Sequence, residues 1–178
     1  VLHLPIGFED GFCGVVDLVT MLVLVWSDGS EPMVSSVPAE MRDAAAGARL
    51  ALVELVAEQD DQALARYLDG EDIDAETLTA LIRSACVKGA GVPVLAGSAY
   101  RNIGVQPLMD AIAAYCPSPL DSPPVQGVTP DGETETRKAS ANEPLLALVA
   151  KSRVTKYGTL STVRLYAGGI EKGMAVLN

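Results

Sequence analysis

The sequence predicts an α/β fold that carries an α+β insert and runs on into the first strands of an all-β barrel or sandwich. Three observations lead there. The apolar, β-branched block Cys13 to Trp26 reads as strands. Three amphipathic helical stripes follow it between residues 36 and 87. The short apolar run Val92 to Gly97 then passes through a small-residue loop into a fourth helical stripe, the strand-loop-helix order of an α/β layer. With 178 residues, 49% of them hydrophobic, the chain can bury enough surface for one domain or two small ones.

The first block closes on Asp28-Gly29, a hairpin signal. Ser35 or Ser36 can cap the next helix, with Pro38 in its first turn and Met41, Ala45, Ala48, Leu52, Leu55 and Val56 along one face. A short helix from Gln62 to Leu68 stops at Gly70, and Asp74 caps a third whose stripe is Leu78, Leu81, Ile82 and Ala85. Val92 to Gly97 reads as a buried strand, because a short apolar run bounded by glycines suits the middle of a covered sheet. Val105, Leu108, Met109, Ile112 and Ala113 recur at helical spacing, and that helix ends at Cys116-Pro117-Ser118-Pro119. Pro119, Pro123, Pro124 and Pro130, with Asp131-Gly132, mark an interdomain connection. Leu145 to Ser152 and Thr159 to Ala167 read as paired strands, after which Gly168-Gly169 turns toward a further strand at Met174 to Leu177.

Charge is divided along the chain. Residues 1–136 hold 6 basic and 21 acidic residues, net −15, whereas residues 137–178 hold 7 and 2, net +5. An acidic surface repels phosphate backbones and attracts basic partners; the basic segment is compatible with nucleic acid. The sequence shows no apolar run of membrane-spanning length and no secretion signal, and Cys13, Cys86 and Cys116 lack both metal-type spacing and an even count for a disulfide framework. A reducing compartment follows from that pattern.

Little of the sequence supports catalysis. His3, the single histidine, lies in an apolar stretch and reads as structural, and Asp17 as a solvent-facing or backbone-capping carboxylate. Gly7, Gly11 and Gly14 do not make a phosphate loop, and G-x-x-x-x-G-K-[ST], D-x-x-G and N-K-x-D are absent. Gly97-Ser98-Ala99 stands out instead. It follows an apolar strand and precedes an amphipathic helix, the crevice position at which α/β folds bind nucleotides through backbone N–H groups, although small residues at such a turn are commonly turn chemistry alone.

These residues resemble the guanine-contacting Ser-Ala loop of translational GTPases, with elongation factor G the closest family. Leu4-Pro5-Ile6-Gly7-x-Glu9-Asp10-x-Phe12-x-Gly14-Val15-Val16-Asp17-Leu18-Val19, then Trp26, is similar to the family's entrance into the insert of its nucleotide-binding domain. Gly97-Ser98-Ala99-x-x-Asn102-x-Gly104-Val105-Gln106-x-Leu108-x-Asp110-Ala111 is similar to the guanine loop and following helix, and Tyr115-x-Pro117-Ser118-Pro119 to the exit from that domain. Arg164-Leu165-Tyr166-x-Gly168, with Gly173, looks like the second, β-barrel domain.

The resemblance implies the C-terminal part of a P-loop GTPase domain over residues 1–119, divided into an α+β insert (13–91) and the guanine-loop strand with its last helix (92–119). A linker (120–144) and the start of a translation-protein barrel (145–178) would follow. It implies a middle piece of a longer cytoplasmic or organellar-matrix protein that uses GTP, with GDP and Mg²⁺, to move transfer and messenger RNA on the ribosome. The chain alone is then expected to have no catalytic residue, no tight nucleotide binding and no hydrolysis. Gly97, Ser98 and Ala99 would contact guanine, the backbone of Ser98 and Ala99 donating to its oxygen while Gly97 allows close approach. Glu71, Asp72, Asp74 and Glu76 would meet the ribosomal stalk protein, and ribosomal RNA is a further expected partner, with no membrane and no DNA. Two readings stay open beside it: an interaction module for a basic protein, and a segment of a diverged relative such as a recycling or ribosomal protection factor.

Overall fold

The structure, a computed structural model, describes residues 1–27, 31–129 and 131–177, and divides into two compact units, Val1–Cys116 and Pro117–Asn178. The Asp28-Gly29 turn and Pro130 lie outside the described residues.

The first unit begins with a four-stranded antiparallel meander: β1 (His3–Ile6), β2 (Gly14–Asp17), β3 (Leu22–Val25) and β4 (Met33–Ser36). Registers pair His3 with Asp17, Val16 with Val23, and Val23 with Ser35. Val16 and Val23 are buried, consistent with β-branched side chains filling the covered face of a pleated sheet. Ser35 and Ser36 form part of β4 and do not cap a helix. The next helix starts instead from a 3₁₀ turn, Ala39–Met41, placed after Pro38, which has no N–H to lose there.

Three helices cover the sheet: α1 (Arg42–Ala57), α2 (Asp61–Leu68) and α3 (Ala75–Val87). Asp60 caps α2 by accepting from the Ala63 N–H at 2.9 Å, and Asp74 caps α3 by accepting from the Thr77 N–H at 2.9 Å. Leu52, Val53 and Val56 of α1 and Leu78, Leu81 and Ile82 of α3 join Leu2, Val16, Leu18 and Ile73 in one core. Arg49 of α1 ties the layers together, its guanidinium donating at 2.7 Å to each of Leu18 O, Val19 O and Ile73 O. A smaller cluster of Val15, Trp26 and Ile103 lies apart from this core.

Residues 92–97 form no strand. Their recorded backbone pairing is the Leu2 N–H donating to Val94 O at 2.8 Å, and Val92 is 85% exposed. Apolar composition alone does not make a buried strand; a ladder on both sides does. The last helix of this unit, α4 (Val105–Tyr115), also departs from expectation. It buries Ala111 and Tyr115, leaving Leu108, Met109 and Ile112 about half exposed. The face that packs is the one toward α3, where Tyr115 reaches Thr79 and the Arg83 guanidinium donates to Ala114 O at 3.0 Å.

The second unit consists of two antiparallel ribbons, β5 (Val125–Val128) with β6 (Thr134–Arg137), and β7 (Leu146–Thr155) with β8 (Gly158–Ala167). The first of these occupies the stretch expected to be a bare connection. The β7–β8 register gathers the charged side chains on one side. Lys151, Arg153 and Arg164 share that face, and Val149, Val154, Val163 and Leu165 share the other. Met174 to Leu177 has no ladder partner and is not a strand.

Candidate nucleotide loop and acidic helix start

Gly97-Ser98-Ala99 opens a tight loop that returns on itself at Ile103. Ser98 and Ile103 form an isolated antiparallel bridge, the Ser98 N–H donating to Ile103 O at 2.8 Å and the Ile103 N–H to Ser98 O at 3.0 Å. Inside the bridge the Asn102 N–H donates to Ala99 O at 3.2 Å, with Asn102 in the left-handed region (φ 54) that its side chain tolerates. The Ser98 N–H is thus already committed, whereas the Ala99 N–H has no acceptor among the described residues. Of the two donors expected from the sequence, the loop leaves the Ala99 N–H uncommitted. One such bond contributes about 1 kcal/mol net.

Gly97 has a role inside the loop as well. A Cβ there would lie 3.0 Å from Ile103 O, so its missing side chain serves the approach of the loop's two arms to each other. Gly104 is more constrained: at φ +76, a Cβ would lie 2.8 Å from Ala96 O and 3.1 Å from Gly97 Cα. Two features hold the loop in place that the sequence did not announce. Ile103 is buried against Trp26 and Val15, and the Arg101 guanidinium donates to Asp10 O at 3.0 Å and Phe12 O at 2.9 Å, joining the loop to the β1–β2 connection. Nothing local marks either contact, since the partners lie far away along the chain.

Below the loop, His3 is buried and hydrogen-bonds the Ala96 backbone, while its Nδ1 has no partner. Burial lowers its pKa from 6.5, against the opposing charge of Asp17 and the Ala96 bond. Asp17 itself accepts from the Val19 N–H at 2.9 Å and from Thr20 Oγ1 at 2.6 Å, the backbone-capping role expected of it. Because the folded state resists protonating His3, the unfolded state binds more protons just below pH 6.5, and stability falls as pH drops through that value. Denaturant midpoints followed by Trp26 fluorescence should therefore decline from about pH 7 to about pH 5. His3→Gln should flatten that slope, and an unchanged slope would remove His3 as its source.

The four acidic residues at the start of α3 are not equivalent. Glu71 pairs with Arg66 at 3.1 Å. Asp74 accepts from the Thr77 N–H and from Thr77 Oγ1 at 2.8 Å, and these bonds lower its pKa. Asp72 and Glu76 extend carboxylates with no partner among the described residues.

No family model matches the chain. It is 49% identical over 177 residues, 99% of its length, to elongation factor G 2 of Streptomyces coelicolor, and covers 26% of that protein. A crystal structure of a Thermus thermophilus protein superposes with a TM-score of 0.72 at 27% identity, covering 94% of this chain and 23% of the other. Among the described residues no helix is long and apolar enough to cross a membrane. The chain is therefore a homologue, along nearly its whole length, of a stretch of elongation factor G that makes up about a quarter of that protein.

Proposed function

We propose that the chain is a segment of a cytoplasmic, ribosome-dependent translation GTPase of the elongation factor G type, which uses GTP hydrolysis to move transfer and messenger RNA. The 49% identity over 99% of its residues carries this reading. The loop at Gly97-Ser98-Ala99 would form one wall of the guanine site, the Ala99 N–H donating to the guanine oxygen. The bridge between Ser98 and Ile103 would hold that N–H in position. GTP supplies the phosphoanhydride bond and Mg²⁺ its charge neutralisation; the residues of this chain fit the guanine end, because Ala99 has a donor to spare. No phosphate-gripping motif is present in its sequence. The chain by itself is accordingly inactive in this reading, since one or two backbone bonds do not offset the entropy of binding a nucleotide.

Asp72 and Glu76 would meet a basic surface of the ribosomal stalk, and the Lys151, Arg153 and Arg164 face of the β7–β8 ribbon would approach ribosomal RNA. A chimera of the Streptomyces coelicolor relative, with this chain in place of its counterpart, tests both halves. Ribosome-stimulated GTP hydrolysis is expected to persist in the chimera and to fall, most at low salt, on Asp72→Lys with Glu76→Lys. A folded chimera without hydrolysis would sink the assignment, and charge reversal without effect would sink the stalk contact. Calorimetry of the 178-residue chain with GDP should show no binding heat; micromolar affinity would overturn the proposed dependence on other segments.

A further inference from the structure

Thr79, Arg83 and Cys86 stand at positions i, i+4 and i+7 of α3 and so form one stripe on its surface. Two members of the stripe show where it faces. The Tyr115 hydroxyl hydrogen-bonds the Thr79 side chain, and the Arg83 guanidinium donates to Ala114 O at 3.0 Å and Cys116 O at 3.2 Å. The stripe therefore faces the C-terminal end of α4, and its next member is Cys86, three residues on from the Arg83 that reaches Cys116 O. Cys116 is exposed there, and Cys86 is half-buried against the core. The electrostatics agree with the placement. Burial pushes the Cys86 thiol up, the charge of Cys116 pushes it further, and Cys86 in turn acts on Tyr115.

We propose that Cys86 and Cys116 form a reversible disulfide when the protein meets a hydroperoxide, a covalent staple between α3 and the end of α4. Cys116 reacts first, because it is exposed. Its thiolate attacks one peroxide oxygen, the O–O bond breaks, and the departing alkoxide or hydroxide takes up a proton to leave as alcohol or water. The product is a sulfenic acid on Cys116. The Cys86 thiolate then attacks that sulfur, the S–O bond breaks, and the hydroxide leaves as water with the proton given up by Cys86. Two thiols are oxidised by two electrons and the peroxide is reduced by the same two.

Burial holds the Cys86 thiol up, so the second step quickens as pH rises. Cys13 takes no part: its thiol faces Ile6 O at 3.7 Å, in the β1–β2 region. The closed ring would span residues 86–116 and so contain the whole loop from Gly97 to Gly104. Oxidation would then stabilise the folded loop and its helix against unfolding, because a cross-link acts mainly by limiting the unfolded chain. Reduction by a free thiol would release them.

The test uses the 178-residue chain treated with hydrogen peroxide and then with a thiol-alkylating reagent. Expected are the loss of two of the three alkylatable thiols, an intact mass lower by two hydrogens, and a peptide joining Cys86 to Cys116. The unfolding midpoint read from Trp26 should also rise by several degrees and return to its starting value after reduction. Cys86→Ser or Cys116→Ser should abolish the cross-link with Trp26 emission unchanged, and Cys13→Ser should leave it intact. Oxidation of Cys116 to sulfinic acid while Cys86 stays alkylatable would overturn the proposal. So would a cross-link that uses Cys13.

Discussion

Replacing Arg49 with Met is expected to destabilise the Val1–Cys116 unit by about 3 kcal/mol, since a charged donor lost from partly buried carbonyls removes both the bonds and the compensation for their desolvation. The side chain accounts for three carbonyls at once. Leu18 O and Val19 O lie in the turn after β2, and Ile73 O lies in the connection before α3, on a fully buried isoleucine. Met fills the space of the Arg stem but donates nothing, so the effect reports the hydrogen bonds with little contribution from a cavity. Lys restores the charge without the planar fork that reaches three acceptors, and should recover less than half of the loss. Trp26, the single tryptophan, is buried in this unit and reads it selectively in a denaturant titration. A midpoint for Arg49→Met equal to that of the unmodified chain would show that the three bonds are exchanged for water without cost.

Gly104→Ala is the second change with a large expected effect, about 2–3 kcal/mol, and it strikes the candidate nucleotide loop directly. Two costs add. A left-handed residue with a side chain costs about 1 kcal/mol, and here the new Cβ also meets Ala96 O at 2.8 Å, so the arms of the loop must part. Gly89→Ala separates the two contributions: it has a similar φ of +70, yet nothing lies within 4 Å of the added Cβ. Its loss should be about 1 kcal/mol, and the excess at Gly104 measures the close approach. Hydrogen exchange should locate the damage, with the Ser98 and Ile103 amides losing protection in Gly104→Ala and keeping it in Gly89→Ala. Equal losses at the two glycines would mean that the loop relaxes freely around a methyl group.

What the sequence revealed depended on how local the physics was. The Asp74 cap was legible because donor and acceptor are three residues apart, and the core stripes of α1 and α3 because a helix repeats its burial every turn. The same logic failed on α4, whose apolar residues cover most of its circumference. Which side packs was decided by Thr79 and Arg83 on another helix, and so Ala111 and Tyr115 are buried while Leu108 and Ile112 are not. Likewise Ser35 and Ser36 have the chemistry of caps, but pairing with Leu22 and Val23 drew them into β4. The candidate loop was found through the residues Gly97-Ser98-Ala99, whereas the division of labour inside it was not. That Ser98 spends its N–H on Ile103, and that Arg101 fastens the loop to Asp10 and Phe12, are facts of long-range geometry.

The β7–β8 ribbon has a colloidal consequence. Its strands are ten residues each, longer than most, and both outer edges present backbone groups with no neighbouring strand among the described residues. An uncharged face bearing Val149, Val154, Val163 and Leu165 makes that edge adhesive, and strand addition from a second molecule would satisfy backbone and side chains together. Lys151, Arg153 and Arg164 on the opposite face oppose stacking by mutual repulsion, an effect that salt weakens. Concentrated solutions of the chain should thus stay clear at low ionic strength and turn fibrous or turbid as salt is added, the reverse of a protein held apart only by crowding of its hydration shell.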